Sequence, residues 1–278
     1  MKTFLNKLVA LLTISIVVSC SSSSDNPAGS QDNSALTNYL PLHSGNYWTY
    51  NVHSQGTVSR DSLYVANDTL INSISYKKMK TLAVPTGFFS TTLRNNGLRT
   101  DGNMLKLSGK ISLNLGLAAP LEFTTNDFII FKENAITGDA LSSSSGTFTQ
   151  DVQSGTSTIP LTFTYTLSSV SDGSLSTYTA VDGTVSTTYT DVKKTKVVLN
   201  LKITTTQTIP GFPNPITINI MDPQDVVTSI QYYAKDKGMA YTNTHITYHL
   251  NSIPGVTLPI PSTGDQTQEE YLHTHVAN

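Results

Sequence analysis

The sequence predicts an all-β protein, built as a single antiparallel meander of a dozen or more strands that forms a curved half-barrel or a sandwich. Three observations predict it. Charged residues make up only 13% of the 278 residues, about half the usual fraction, and Thr, whose branched side chain suits strands, is abundant. Apolar and polar residues alternate along the chain, and Asp-Gly and Asn-Gly pairs separate the alternating runs.

The first 19 residues are predicted to be a secretory signal peptide. Two lysines precede the apolar run Leu8–Val18, which is about half as long as a membrane-spanning helix. The residues Val17–Cys20 resemble the lipobox of bacterial lipoproteins, in which cleavage occurs before a cysteine that is then lipidated. We therefore expect Cys20 to be the lipidated first residue of the mature chain. An ordinary secreted protein cut near Ser19 is the alternative.

Residues 20–36 are rich in Ser, Asn, Asp, Gly and Pro and are predicted to be a flexible tether. Residues 37–278 then form the β domain. Several acyl chains on Cys20 would hold that domain at a membrane, so the membrane is the first expected partner. We expect an outer-membrane lipoprotein, and the sequence leaves open whether it faces the periplasm or the cell surface.

Cysteine usage and charge exclude several classes of protein. Cys20 is the only cysteine, so once it is lipidated a disulfide framework, a thiolate metal site and a cysteine nucleophile are excluded. The formal net charge is −2, and no basic patch is present that would bind nucleic acid.

Alternation of period two marks the strands. From Ile159 to Leu167 the apolar residues and Tyr165 occupy one face, and threonines occupy the other. The same pattern recurs around Trp48, from 197 to 203, from 216 to 220 and from 246 to 250. One apolar and one polar face per strand is typical of an antiparallel sheet. From residue 38 onward the pattern predicts no amphipathic helix.

Turn chemistry separates these runs. Four pairs that favour positive φ angles are predicted to form tight hairpins: Asn96-Gly97, Asp101-Gly102, Asp172-Gly173 and Asp182-Gly183. Proline-rich segments at 209–215 and 254–261 predict longer connections, because proline cannot donate a hydrogen bond to a sheet. No domain linker interrupts the series.

Two motifs carry a resemblance to a known family. Residues 39–50, YLPLHSGNYWTY, resemble the opening motif YFPL..GN.W.Y of a broad family of secreted and lipid-anchored proteins of Bacteroidetes-type bacteria. Residues 232–239, YYAKDKGM, resemble the YYAKGVG segment near the C-termini of that family. Leu40 stands where the family usually has an aromatic residue. The resemblance implies a secreted β domain and carries over no catalytic residue.

The sequence carries no motif that indicates an enzyme. The nucleophile elbow Gly-x-Ser-x-Gly, a phosphate-binding glycine loop and an evident carboxylate pair are all absent. We therefore predict a non-enzymatic binding or structural module with no catalytic residue and no cofactor, whose ligand is a glycan, a lipid or an envelope protein. Two alternatives stay open: a carrier of lipids in a concave β cavity, and a hydrolase of envelope or extracellular polymers.

One histidine pair is the candidate for a metal site. His273 and His275 lie two residues apart on one predicted strand face, and Glu269 or Glu270 would complete a set of three ligands. The alternative is that these histidines lie on a solvated face near a frayed terminus. We predict no metal site.

Two tripeptides resemble the acceptor motif of O-glycosylation in Bacteroidetes-type bacteria, which is Asp, then Ser or Thr, then an apolar residue. They are Asp61-Ser62-Leu63 and Asp68-Thr69-Leu70, with Ser62 and Thr69 as the possible acceptors. Alternation also predicts outward-facing tyrosines that would suit a sugar or protein partner: Tyr76, Tyr178, Tyr189, Tyr233 and Tyr241.

Overall fold

The computed structural model describes residues 39–154, 157–208, 213–252, 258 and 260–277. The predicted signal peptide, Cys20 and the tether lie outside these residues. Within them the chain forms twelve strands and one short helix. They are β1 (Tyr47–Ser54), β2 (Thr57–Ile71), β3 (Ile74–Lys80), α1 (Phe88–Leu93), β4 (Gly97–Asp101), β5 (Met104–Leu113), β6 (Leu121–Lys132), β7 (Ala140–Ser154), β8 (Ser157–Asp182), β9 (Val185–Gln207), β10 (Ile216–Ala234), β11 (Gly238–His249) and β12 (Thr263–Val276).

All twelve strands belong to one antiparallel sheet, which confirms the predicted all-β meander. Their order is β6-β5-β4-β3-β2-β1-β12-β11-β10-β9-β8-β7. Strands that are consecutive in sequence pair with each other, except β6 and β7, which form the two edges, and the first strand also pairs with the last. The described residues include no helix long and apolar enough to cross a membrane.

The sheet curls until its two edge strands, β6 and β7, meet through side chains. The Phe123 ring on β6 lies 5.9 Å from the Phe148 ring on β7 and 4.9 Å from the Tyr165 ring on β8. Farther along, the Ser169 hydroxyl donates a hydrogen bond of 2.5 Å to the carbonyl of Ile129. The sheet is therefore a nearly closed barrel rather than a sandwich.

Alternation places one face of each strand in the interior, as predicted. Leu161, Phe163 and Leu167 on β8 are buried, and so are Val197, Leu199, Leu201 and Ile203 on β9. Helix α1 lies inside the sheet, with Phe88, Phe89 and Leu93 buried. The concave face is thus filled by side chains.

The turns of the meander lie at two opposite ends of the sheet. The open end carries the β1–β2 turn at residues 55–56, the β5–β6 loop at 114–120, the end of β11 and the start of β12. The other end, called here the tether end, carries the β10–β11 turn and the segment 39–46 that leads into β1.

Residues 39–46 close the tether end. The Tyr39 ring packs 5.2 Å from the Phe131 ring, and Leu40 and Leu42 are buried. The amide of Asn46 donates a hydrogen bond of 3.0 Å to the carbonyl of Pro41. The first described residues therefore lie at this end.

The Asp172-Gly173 pair does not form the predicted hairpin turn. It lies inside β8, where Gly173 has φ +92°, and Asp191 on the neighbouring β9 has φ +49°. The pairing of β8 with β9 continues beyond both residues to Asp182 and Val185, so the two strands bend there instead of reversing. The distal hairpin folds over the outer face of β10 and β11, where the Tyr178 ring stacks 4.4 Å from the Tyr232 ring.

The tip of this hairpin is held on β1. The Asp182 carboxylate accepts a hydrogen bond of 2.7 Å from the Asn51 amide and lies 2.7 Å from His53 Nε2. Asp182-Gly183 forms the predicted turn between β8 and β9.

The Asn96-Gly97 hairpin prediction is wrong, and α1 was not predicted. Asn96 is buried, and its amide donates to the carbonyls of Thr92 and Lys110 at 2.6 and 2.7 Å. A Cβ on Gly97 would lie 2.8 Å from the Cβ of Tyr76, so glycine here permits a close approach. A helix of six residues is too short to show a period.

Four of the five tyrosines predicted to face outward are buried, and Tyr178 is half-buried. The buried ones are Tyr76, Tyr189, Tyr233 and Tyr241. The register between β10 and β11 shifts between Tyr232 and Tyr233, and such a bulge breaks the simple alternation. Tyr241 lies on the outer face but is covered by the folded hairpin, and Tyr189 belongs to that hairpin and is buried in the same cluster.

Candidate binding site

Two adjoining clefts form a groove at the open end. Their volumes are about 590 and 390 Å³, and they share Asn114, Gly116, Ile246 and Gln266. Segment 84–91, the β5–β6 loop and the paired ends of β11 and β12 form the walls. We call it the open-end groove.

Local sequence positions each wall. Gly116 has φ +88°, and its N–H donates a hydrogen bond of 2.8 Å to the side-chain oxygen of Asn114. These two features turn the chain in the β5–β6 loop. Buried Leu115 anchors that loop. Gly264 is paired with Tyr248, and a Cβ on Gly264 would lie 2.2 Å from the Tyr248 ring. Because Gly264 has no side chain, the Tyr248 ring can pack directly against the backbone of β12.

The lining of the larger cleft combines apolar surface with uncharged hydrogen-bonding groups. Phe88, Leu113 and Ile246 supply apolar surface, and Ser112 and Gln266 supply a hydroxyl and an amide. The smaller cleft adds the carboxylate of Asp265, which is largely exposed and lies 2.7 Å from His245 Nε2. Among the described residues, the groove lining matches a ligand that is amphipathic and uncharged.

Beneath the groove, three side chains accept hydrogen bonds from the first turn of α1 and from the two residues that precede it. We call Asp61, Gln268 and Glu270 the helix-capping cluster. Asp61 accepts the backbone N–H groups of Thr86 and Gly87 at 2.9 and 2.7 Å. All three members are buried. The backbone N–H groups that a helix start leaves unpaired therefore find partners on β2 and β12.

Glu270 lies deepest in this cluster. Its carboxylate accepts the N–H of Phe89 at 2.6 Å and the hydroxyl of Ser90 at 2.9 Å. A Cβ on Gly87 would lie 2.2 Å from the carboxyl carbon, so glycine at 87 lets the helix start approach the carboxylate. Gln268 accepts the N–H of Phe88 and donates to the carbonyl of Thr86.

Burial raises the pKa of Glu270 to about 7, while the N–H of Phe89 and the hydroxyl of Ser90 act in the opposite direction. The folded protein thus binds this proton more tightly than the unfolded chain, whose Glu pKa is about 4.3. The contribution to stability is complete below about pH 4.3 and is lost as pH rises through about 7.

We expect the free energy of unfolding to fall between about pH 4.3 and 7, and Glu270→Gln to remove this decrease. The amide keeps an acceptor for the Phe89 N–H without carrying a buried charge. At pH 8 the variant should be more stable than the unmodified protein by about 3 kcal/mol, since each pKa unit corresponds to about 1.4 kcal/mol. Urea unfolding at a series of pH values measures both curves, and parallel curves would contradict the expectation.

The structure does not complete the histidine metal site. Among the described residues, no three His, Asp, Glu or Cys side chains form a group that could hold an ion. Glu269 accepts the Tyr241 hydroxyl at 2.6 Å on the outer face, whereas Glu270 points into the interior. The supposed frayed terminus is part of β12, which pairs with β1 and β11.

The two predicted glycosylation acceptors lie on β2 in different surroundings. Ser62 is half-buried, and its hydroxyl accepts the N–H of Leu82 at 2.9 Å. Thr69 is half-buried near the β2–β3 turn and precedes Leu70, which is 73% exposed. Modification at either residue stays a prediction.

Comparison with protein-family models, curated proteins and solved structures gives no significant match to this chain. Sequence reasoning missed the groove residues because they come from loops and strand ends that are far apart in the chain. Gly116, which lies between Leu115 and Leu117 and two residues after Asn114, is a local signal for a turn in this wall.

Proposed function

We propose that the protein is a lipid-anchored, non-enzymatic binding module of the bacterial outer membrane, which holds an uncharged amphipathic ligand in the open-end groove. The observation that carries this proposal is the composition of the groove: apolar surface combined with hydroxyl and amide groups. Ligand sites of this size commonly have such a lining, in which a few polar groups fix the orientation of the ligand.

The position of the groove supports presentation of a ligand-binding face away from the point of attachment. Tyr39, the first described residue, lies at the tether end, and Ile246 and Gln266 lie at the open end. The proposed anchor at Cys20 would therefore join the domain at the end opposite to the groove.

Binding is proposed rather than hydrolysis because of the groove's polar groups. Asp265 is the carboxylate in the described lining, whereas an acid–base mechanism for glycosidic bonds uses two. Glu270 and Asp61 lie below the groove, but their oxygens hold the start of α1. A carrier with a cavity inside the barrel is not proposed, because Phe89, Tyr233 and other side chains fill the concave face.

Filling the groove should weaken binding. Ile246 lines both clefts, so Ile246→Trp should lower the affinity for Nile red, a neutral amphipathic probe, by at least about tenfold. Native mass spectrometry of protein isolated from host envelopes should show a bound neutral mass that the variant lacks.

The matched control is Ile136→Trp, because Ile136 is 72% exposed on a turn outside the groove. This variant should keep both the probe affinity and the bound mass. Equal binding by the unmodified chain and the Ile246 variant would overturn the proposed site, and release of a cleaved product from a neutral glycan would overturn the non-enzymatic assignment.

A further inference from the structure

An exposed apolar loop follows β3, outside the open-end groove for most of its length. Leu82, Ala83 and Val84 are consecutive and exposed, and the exposed fractions of Leu82 and Val84 are 83% and 72%. Runs of three or more exposed apolar residues are avoided in soluble domains unless they have a function. The exposed apolar run therefore indicates an interaction site.

The loop is held in place rather than left free. Ser62 Oγ accepts the N–H of Leu82 at 2.9 Å, and Thr81 donates to the carbonyl of Ala83 at 2.7 Å. The buried carboxylate of Asp61 fixes the following residues, Thr86 and Gly87. These hydrogen bonds hold the loop backbone in place while the loop side chains stay exposed. Binding of a partner to the loop would therefore cost little further backbone entropy.

An apolar cleft of about 390 Å³ lies beside the loop. Tyr47, Leu63, Tyr64 and Leu82 line it together with Gly45, and its surface is almost entirely apolar. Tyr47 and Tyr64 are directly paired across β1 and β2, and Tyr47 is 41% exposed. We call Leu82, Ala83 and this cleft the Leu82 surface.

We propose that the Leu82 surface docks directly onto a lipid bilayer, with the Leu82 side chain in the acyl region and the Tyr47 and Tyr64 rings at headgroup level. Tyrosine is enriched at that level because its ring is apolar and its hydroxyl is polar. Lys80 pairs with Tyr64 at the rim and is exposed, so its ammonium group would meet the phosphates.

The bilayer is favoured over other occupants because of where the chain enters the domain. Gly45 lines the cleft only six residues after Tyr39. The proposed anchor at Cys20 precedes Tyr39 by 19 residues, a coil whose mean span is about 24 Å. This step rests on the proposed lipid anchor, which would keep the Leu82 surface close to the bilayer and raise its effective concentration there.

The test removes the anchor, so that docking is measured alone. Residues 21–278, the chain without the apolar signal segment and without Cys20, are floated with vesicles of phosphatidylethanolamine and phosphatidylglycerol. We expect binding, and we expect Leu82→Asp with Ala83→Asp to weaken it by at least about tenfold, because burying a Leu side chain alone favours binding by about that factor. Ile136→Asp, at a residue that is 72% exposed in the connection between β6 and β7 and does not line the cleft, should leave binding unchanged.

Two further measurements keep the result interpretable. Leu82→Trp should show a blue-shifted emission when vesicles are added, and the native Trp48 is fully buried and should contribute a constant background. Ile246→Trp should keep vesicle binding although it blocks the groove, and the double Asp variant should keep Nile red binding. Failure of docking is thereby separated from failure of the proposed groove.

Three outcomes would overturn the docking proposal. The first is absence of vesicle binding by residues 21–278, or binding that the double Asp variant retains. The second is binding that high salt abolishes completely, which indicates adsorption by charge alone. The third is a dimer in solution that the double Asp variant dissociates, which would assign the Leu82 surface to a second copy of the chain.

Discussion

Replacing Glu270 with Ala should lower the free energy of unfolding by about 3 kcal/mol or more at pH 5. The carboxyl group is fully buried and accepts hydrogen bonds from the Phe89 N–H and the Ser90 hydroxyl. Removing it leaves these donors buried without that partner, and each lost partner costs about 1–3 kcal/mol. The space left by the side chain adds a further cost.

The measurement is urea unfolding followed by circular dichroism at pH 5, below the pKa of Glu270, so that relief of a buried charge does not mask the loss. Glu270→Gln is the matched control and should stay within about 1 kcal/mol of the unmodified protein, because the amide still accepts from Phe89 and can donate to Ser90. Equal stability of the Ala and Gln variants would show that the capping contacts contribute little. Loss of α1 contacts should also reshape the open-end groove, which Phe88 lines.

Replacing Trp48 with Ala should lower the free energy of unfolding by about 3–5 kcal/mol, the usual range for a buried Trp. Trp48 is fully buried, and its indole N–H donates 2.8 Å to the carbonyl of Lys237. The ring lies so close to the β10–β11 turn that a Cβ on Gly238 would come within 2.5 Å of Nε1. The substitution therefore opens a cavity and leaves the Lys237 carbonyl without this donor.

Two comparisons separate these contributions. Trp48→Phe keeps most of the ring volume and should cost about 1–2 kcal/mol, mainly for the lost hydrogen bond. Tyr47→Ala, at the exposed neighbouring position, should cost less than about 1 kcal/mol. Circular dichroism is the appropriate probe, because Trp48 is the only tryptophan. A loss below about 1 kcal/mol for Trp48→Ala would contradict the role of this ring in the core.

The contact between Trp48 and Lys237 also joins the two motifs that carry the family resemblance. In the sequence these motifs lie about 190 residues apart, and β12 lies between β1 and β11 in the sheet. The contact between the two motifs gives a physical reason for an aromatic residue in one and a Lys-Gly turn in the other. Gly238, with φ +99°, turns the chain at the point where the Trp48 indole lies closest to it. The family assignment itself stays a prediction.

The sequence alone determined the class of fold and the inward face of most strands. Alternation needs only neighbouring residues, so Trp48, Tyr50 and Val52 could be assigned to the interior without any knowledge of their partners. The Asp101-Gly102 and Asp182-Gly183 turns followed for the same reason, because positive φ is a local requirement. An Asp-Gly pair can form either a hairpin turn or a bend within a strand. At Asp172-Gly173 the local sequence alone did not distinguish the bend from a turn.

Only the tertiary structure decided the closure of the sheet, the position of α1 and the open-end groove. Each depends on groups distant in sequence: β6 meets β7 through Phe123 and Phe148, and α1 begins where Asp61 and Glu270, more than 200 residues apart, accept its first N–H groups. Buried polar groups must find partners, but the sequence does not state which ones. The partners of these N–H groups are set only when the curled sheet places β2 and β12 next to the helix.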